Sequence, residues 1–440
     1  MGRLAARCWV ASVCTALAFA LPPSAAAAAV TGAGATDPTT PRATAAGPVA
    51  VAGSASGPLR PGARMQPPWS AEETRRILSH GPWPPAPARD PGNAVAGQRA
   101  AAELGQRLFF DARLTMDRSM SCASCHLPAL AFADGRPRSM GREALDRNAP
   151  SLWNAVHERW YGWDGAADSL WSQSLRALLD PREMATNPAQ VQQVLSGDAE
   201  LACRYRRAFA RAPGGDPETV MVDAAKALGA FVGSLTSGRT AFDAFRDALA
   251  RADRRAAARY PADAQRGLRL FIGRGQCSTC HVGALFSNGE FGDIGAPFFV
   301  RPGLVDPGRH GGIQALQASR YNLLSRFSDA APTDPTSLKT RHVQLQHRNF
   351  GEFKVPALRN VALTGPYLHD GQLATLDDVV RHYSELNLER LHADGDRILQ
   401  PLKLSAGESA DLVAFLRSLS DPRAEAWRAP PLRPCAAASP

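Results

Sequence analysis

The sequence predicts a mostly α-helical protein built from two copies of one unit and joined by long loops. Three observations carry this. LGQRLFFDARLTMDRSMSCASCH and QRGLRLFIGRGQCSTCH share a Gly, a Leu-Phe pair and a Cys-x-x-Cys-His ending, with His126 and His281 155 residues apart; such self-similarity is the mark of a duplicated unit. Apolar residues recur at helical spacing in DSLWSQSLRALL, ETVMVDAAKALGAFVGSLTS and, after the second copy, AGESADLVAFLRSLS. Strand signals are few. The 440 residues suffice for two domains with a core each.

The elements follow in order. Residues 1–29 read as a cleaved export signal: Arg3 and Arg7 form a charged start, Trp9 to Leu21 an apolar stretch too short to span a bilayer, and an Ala-rich end offers A-x-A cleavage sites. Residues 30–95 are rich in Ala, Thr, Gly and Pro and read as a disordered linker. The first unit is expected over 96–255 and opens on the helical VAGQRAAAELGQRLFFD. The second is expected over 256–422, and 423–440 form a Pro-rich flexible tail. No later segment is long and apolar enough to cross a membrane, so the mature chain is expected to be periplasmic and without a span.

Formal net charge is +9, falling to about +7 without the two signal arginines. A basic balance can mean nucleic acid, which an exported chain does not meet, so none is expected as a partner. It fits equally a solvated surface or a face steering an acidic protein partner. Of eight cysteines, Cys8 and Cys14 leave with the signal, and four belong to the repeated motif. Cys203 and Cys435 remain, far apart in sequence, and whether they pair stays open.

Cys122-Ala-Ser-Cys125-His126 and Cys277-Ser-Thr-Cys280-His281 carry the chemistry. Two thiols three residues apart on one turn can form thioethers to the two vinyl groups of a haem, and the next residue then offers its imidazole to the iron. A redox dithiol does not need the His, and a zinc site needs a second nearby ligand pair. Two covalently bound haems c and two cytochrome c-like haem domains are therefore expected. An electron carrier fills both axial positions of each iron, whereas a catalytic haem keeps one open. All seven methionines precede residue 222, so none follows His281; no His lies between His126 and His157, and Met140 is the remaining local ligand for the first iron. The first haem is thus expected to be open.

LGQRLFFDARL before the first motif, WDG after it, and FKVPALRNVALTGPYLHDGQLATLDDVVRHYSEL after the second resemble the bacterial di-haem cytochrome c peroxidase and MauG superfamily, over about Val95 to Ser420. The resemblance implies roles for individual residues. Trp163 of WDG matches a tryptophan relaying electrons between the haems. Glu183 matches a distal acid that moves a proton between the two peroxide oxygens, and Gln173 a distal glutamine bonded to the oxidant. Asn148, Thr364 and Pro366 match a calcium site between the domains. Cytochrome c peroxidases of this family carry a second His where Arg142 stands, which suggests that no reductive activation step is needed here. Their second haem has a Met ligand where Tyr383 stands, as in the MauG-like branch; His382 is the nearest competitor. Ala177 stands where relatives usually have a Pro.

The implied function is a periplasmic oxidoreductase that uses hydrogen peroxide to form a high-valent di-haem state and oxidises a partner protein at long range. The partner would be a cytochrome c, a cupredoxin or a precursor enzyme being matured. The alternatives are a cytochrome c peroxidase and, in another class, a non-enzymatic di-haem electron carrier.

Overall fold

In the computed structural model the described residues are 68–86, 90–297, 299–331, 333–395 and 398–435. The expected export signal and the linker up to residue 67 lie outside them. The chain is mostly helical: α1 Ala71–Leu78, α2 Arg99–Phe109, α3 Leu170–Leu179, α4 Pro188–Gly197, α5 Ala199–Phe209, α6 Pro217–Gly233, α7 Ala241–Ala250, α8 Arg254–Ala257, α9 Ala262–Ile272, α10 Arg309–Ala318, α11 Pro335–His342, α12 Leu376–Ser384 and α13 Ala406–Arg417. The few strands are short. β1 Phe291–Gly292 pairs antiparallel with β4 Phe353–Lys354, and β2 Phe299–Arg301 with β3 Leu304–Val305. No helix among the described residues is long and apolar enough to cross a membrane.

Two hydrophobic cores form within one compact unit. The first is built on α2, α3 and α6, the second on α7, α9 and α13. The shared Gly of the repeat explains both. A Cβ on Gly105 would stand 2.0 Å from the Ala227 carbonyl oxygen of α6, and one on Gly267 1.9 Å from the Asp411 carbonyl oxygen of α13. Only Gly allows backbones to cross that closely. Four residues later in each crossing pair, Phe109 meets Phe231 at 5.2 Å and Phe271 meets Phe415 at 4.9 Å between ring centroids.

The duplication runs further than the sequence reading followed it. Tyr161 and Tyr367 donate their hydroxyls to Ala155 O and Val361 O at 3.2 and 3.0 Å. Asn154 and Asn360 both take left-handed φ, +65° and +63°. Their side-chain oxygens accept the Ser237 and Asp421 backbone N–H at 2.9 Å each.

Three expected boundaries move. The linker was expected to reach residue 95, but α1 starts at Ala71 on a Ser70–Glu73 capping box. Trp69 lies under the Arg269 guanidinium at 4.1 Å, and Ile77 is buried in the second core. A Pro-rich composition masked these apolar anchors. The boundary at 255/256 falls too late, because Phe242 and Phe245 of α7 already belong to the second core. The tail is not flexible over its described length. Trp427 packs on Phe132 at 5.0 Å, Gln106 Nε2 and Arg204 Nη2 donate to Pro430 O and Arg433 O at 2.8 and 2.6 Å, and Cys435 is disulfide-bonded to Cys203 of α5. The pairing that the sequence left open is thereby present.

Candidate active site

Each Cys-x-x-Cys-His motif forms one tight turn, Cys122–Ser124 and Cys277–Thr279, followed by the second Cys and the His. The His126 and His281 backbone N–H groups donate to Cys122 O and Cys277 O at 3.0 and 2.9 Å, closing the turn. His126 Nδ1 lies 3.0 Å from Phe132 O and His281 Nδ1 2.8 Å from Phe286 O. With Nδ1 held by a carbonyl, Nε2 is left to bind a metal. The four thiols are free. Burial pushes Cys122 and Cys277 up to about 12 and Cys125 to about 11. A redox dithiol is tuned the other way, towards thiolate. The residues present therefore fit a covalently attached haem at each motif.

A cavity of about 950 Å³ lies over the second motif and reaches into the first half. Its wall includes Cys277, Cys280, His281 and Tyr383 of the second half and Asn148, Trp153 and Trp163 of the first. The volume and largely apolar wall suit a flat organic group. Tyr383, near the end of α12, lines this cavity together with Cys277, Cys280 and His281, and burial followed by the charge of the two thiols raises its pKa well above the ordinary phenol value. Its neighbour His382 does not line this cavity, and its Nε2 sits 2.8 Å from Ile294 O.

Trp163 is pinned at both ends. Its indole N–H donates to Asn148 O at 3.0 Å, and its carbonyl accepts Lys354 N–H at 2.8 Å, tying the first half to β4. Asn148 is buried, donating its backbone N–H to His369 O at 2.7 Å and its amide nitrogen to Arg136 O at 2.7 Å. Thr364 and Pro366 line the same cavity as Asn148.

Glu183 sits in the turn after α3, its N–H on Asp180 O at 3.1 Å. Burial, then the Asp180 carboxylate, raise its pKa above the usual carboxylate range against Arg176 and Arg182. Its carboxylate adds a smaller upward push to the pKa of both thiols of the first motif, behind their burial. Gln173 of α3 accepts from Arg176 Nη1 at 3.4 Å. Arg142 points outward, to Asp117 Oδ2 at 3.2 Å and Pro181 O at 3.0 Å. Met140 is 48% exposed, and its carbonyl, not its sulfur, is what Cys125 Sγ meets, at 3.5 Å.

The sequence model of the di-haem cytochrome c peroxidase family matches residues 99–250. The methylamine utilization protein MauG of Methylorubrum extorquens is 32% identical over 318 residues, covering 72% of this chain and 77% of that one. The cytochrome-c peroxidase IdrP2 of Denitromonas iodatirespirans is 32% identical over 331 residues, 74% and 83% of the two chains. The crystal structure of the diheme peroxidase BthA from Burkholderia thailandensis shares the fold, with a TM-score of 0.59 at 24% identity over 76% of this chain and 90% of that one.

The chain belongs to the di-haem cytochrome c peroxidase and MauG family.

As a member of this di-haem family it is a haem oxidoreductase of the peroxidase type, with two haems c as cofactors. Sequence reasoning found the attachment residues but missed what orients them. Phe132 and Phe286 hold the two imidazoles through carbonyls placed by left-handed φ of +59° and +56°. The signal was present as the similar runs PALAF and VGALF after each His. Also missed was Arg147, whose guanidinium joins Asp164 Oδ2 at 2.6 Å to Asp306 Oδ1 at 2.7 Å. Arg309 went unnoticed as well. It is sandwiched over Trp160 and Phe291 at 4.3 and 4.0 Å in the cavity wall.

Proposed function

We propose that the protein is a MauG-like member of the family, exported to the periplasm, that reduces hydrogen peroxide and draws the two electrons from a partner protein at a distance. The observation that carries this reading is Tyr383: a phenol, and neither a Met nor His382, lines the cavity together with the second motif. Bound haem supplies the redox-active iron at which peroxide is reduced. The chain's own residues do the rest. His126 and His281 would each hold an iron through Nε2, and Tyr383 would be a further ligand of the second through its phenolic oxygen. Glu183 takes a proton from the attacked peroxide oxygen and returns it to the departing one, so that peroxide, two protons and two electrons leave as two waters. Gln173 donates a hydrogen bond to the oxidant. Trp163, an oxidisable ring fixed by its bond to Asn148, passes electrons between the halves. Asn148, Thr364 and Pro366 offer neutral oxygens suited to calcium.

Tyr383→Phe is the test. Both haems should stay attached, while the absorption changes caused by peroxide at the second haem should be lost; unchanged spectra would remove Tyr383 from the iron. The second reading, peroxide detoxification with electrons from cytochrome c, is favoured by the equal similarity of relatives named cytochrome-c peroxidase. Fast steady-state turnover with reduced cytochrome c would establish it in place of the first.

A further inference from the structure

Outside the haem sites, among the described residues, one group of side chains brings metal-binding atoms together: His347, His392 and Asp394, each with a ligand atom within 4.8 Å of the other two. We propose that these three residues bind a divalent transition-metal ion, Cu(II) or Zn(II), at the mouth of the cavity over the second haem motif.

The arrangement is already assembled. His347 begins a tight turn, His347–Asn349, locked by reciprocal bonds between Gln346 and Asn349. Its Nδ1 lies 3.0 Å from Asp394 Oδ2. His392 comes from a different loop, and its backbone N–H donates to Asp293 Oδ2 at 2.6 Å. The Asp394 backbone N–H donates to His392 Nδ1 at 3.2 Å, which sets that ring beside the carboxylate. The two imidazoles stand 5.0 Å apart between centroids at 66° to one another, so they converge instead of stacking.

Two ligand atoms of a tetrahedral Zn ion stand about 3.4 Å apart, so side-chain rotations that draw these atoms together by about 1.5 Å close the site. Two imidazoles and a carboxylate form a borderline donor set that prefers Cu(II) and Zn(II) over Mg(II) or Ca(II). His392 lines the cavity with Gln346 and Arg348, while His347 and Asp394 beside it are exposed, which puts the three at the cavity's solvent edge. An ion there occupies the entrance to the second haem's cavity without touching any residue assigned to peroxide chemistry.

Tag-free holoprotein, stripped with chelator, is titrated with CuCl2 and separately with ZnCl2 by calorimetry. One equivalent should bind. His347→Ala and His392→Ala should each weaken it on the order of 100-fold, as loss of a ligand costs at least what loss of its supporting bonds does. Asp394→Asn, nearly isosteric, should weaken it too, and unchanged haem absorption in all three reports intact folding. The Cu(II) electron paramagnetic resonance spectrum should show two imidazole nitrogens, and one in either His variant. Absence of binding, or binding that all three variants leave unchanged, would overturn the site.

Discussion

At the residue scale the chemistry depends on where two side chains point. In the proposed mechanism Glu183 carries the proton, a role suited to a carboxyl whose pKa is held above the ordinary value by burial, then by Asp180. A carboxyl must be ionised to take the peroxide proton, so the reaction should slow as pH falls through that raised value. Asp180→Asn removes the like charge and lowers the Glu183 pKa. The acid limb of the peroxide rate profile should then move to lower pH, whereas Glu183→Gln should slow the reaction by about 10²–10⁴-fold above that limb and abolish the limb itself. Stopped-flow rates across pH check both; an unmoved limb in Asp180→Asn means that another group sets it. The sequence named Glu183 and the Tyr383–His382 pair from their positions. It did not show their directions. One residue of helix is about 100° of rotation; His382 meets the Ile294 carbonyl, and Tyr383 is left to line the cavity with Cys277 and Cys280.

At the scale of elements, the fold is two copies of one helix crossing with a haem turn attached. The repeated Gly was legible as a motif, but its cause was not, since the partner carbonyls of Ala227 and Asp411 are 122 and 144 residues downstream of Gly105 and Gly267. Gly105→Ala and Gly267→Ala should each cost about 1–3 kcal/mol or more, because backbone on both sides resists the added methyl. Thermal unfolding of the holoprotein reads this, and a cost below about 0.5 kcal/mol would mean that the helices separate freely. The tail was misread for a related reason. Its composition is that of a loop, but Trp427 fills a space against Phe132, the residue whose carbonyl orients His126. Replacing Cys203 and Cys435 by Ser should cost about 2–5 kcal/mol. It should disturb the first haem before the second, seen as a shift in the first haem's reduction potential. Equal effects on both haems would show that the strap does not act locally.

Across the whole molecule, the two halves are held in register by a buried charge cluster that no sequence pattern announces. Arg147, one residue before Asn148, clamps Asp164, one residue after Trp163, to Asp306 of the second half. Both carboxylates are buried, 6% and 4% exposed. Burial alone would raise their pKa values; Arg147, together with Arg176 and the Ala166 N–H at Asp164 and the Gly308 N–H at Asp306, outweighs it, and both end below the ordinary carboxylate value. Groups with depressed folded pKa values contribute stability that is present above the unfolded value and lost as pH falls through the folded one. Arg147→Met keeps most of the side chain's bulk but leaves two buried carboxylates without that partner, and such a loss costs about 3–5 kcal/mol at neutral pH. In the variant, burial is opposed only by weaker partners such as Arg176, 3.7 Å from Asp164 Oδ1, so both groups should take up protons at higher pH than in the parent. The gap in stability between parent and variant should therefore be widest near pH 7 and narrow as pH falls towards about 4. Thermal unfolding across that range measures it; a gap independent of pH would mean that Arg147 acts through packing alone. Because the clamp flanks both Asn148 and Trp163, the variant should also slow electron sharing between the haems while leaving their attachment intact.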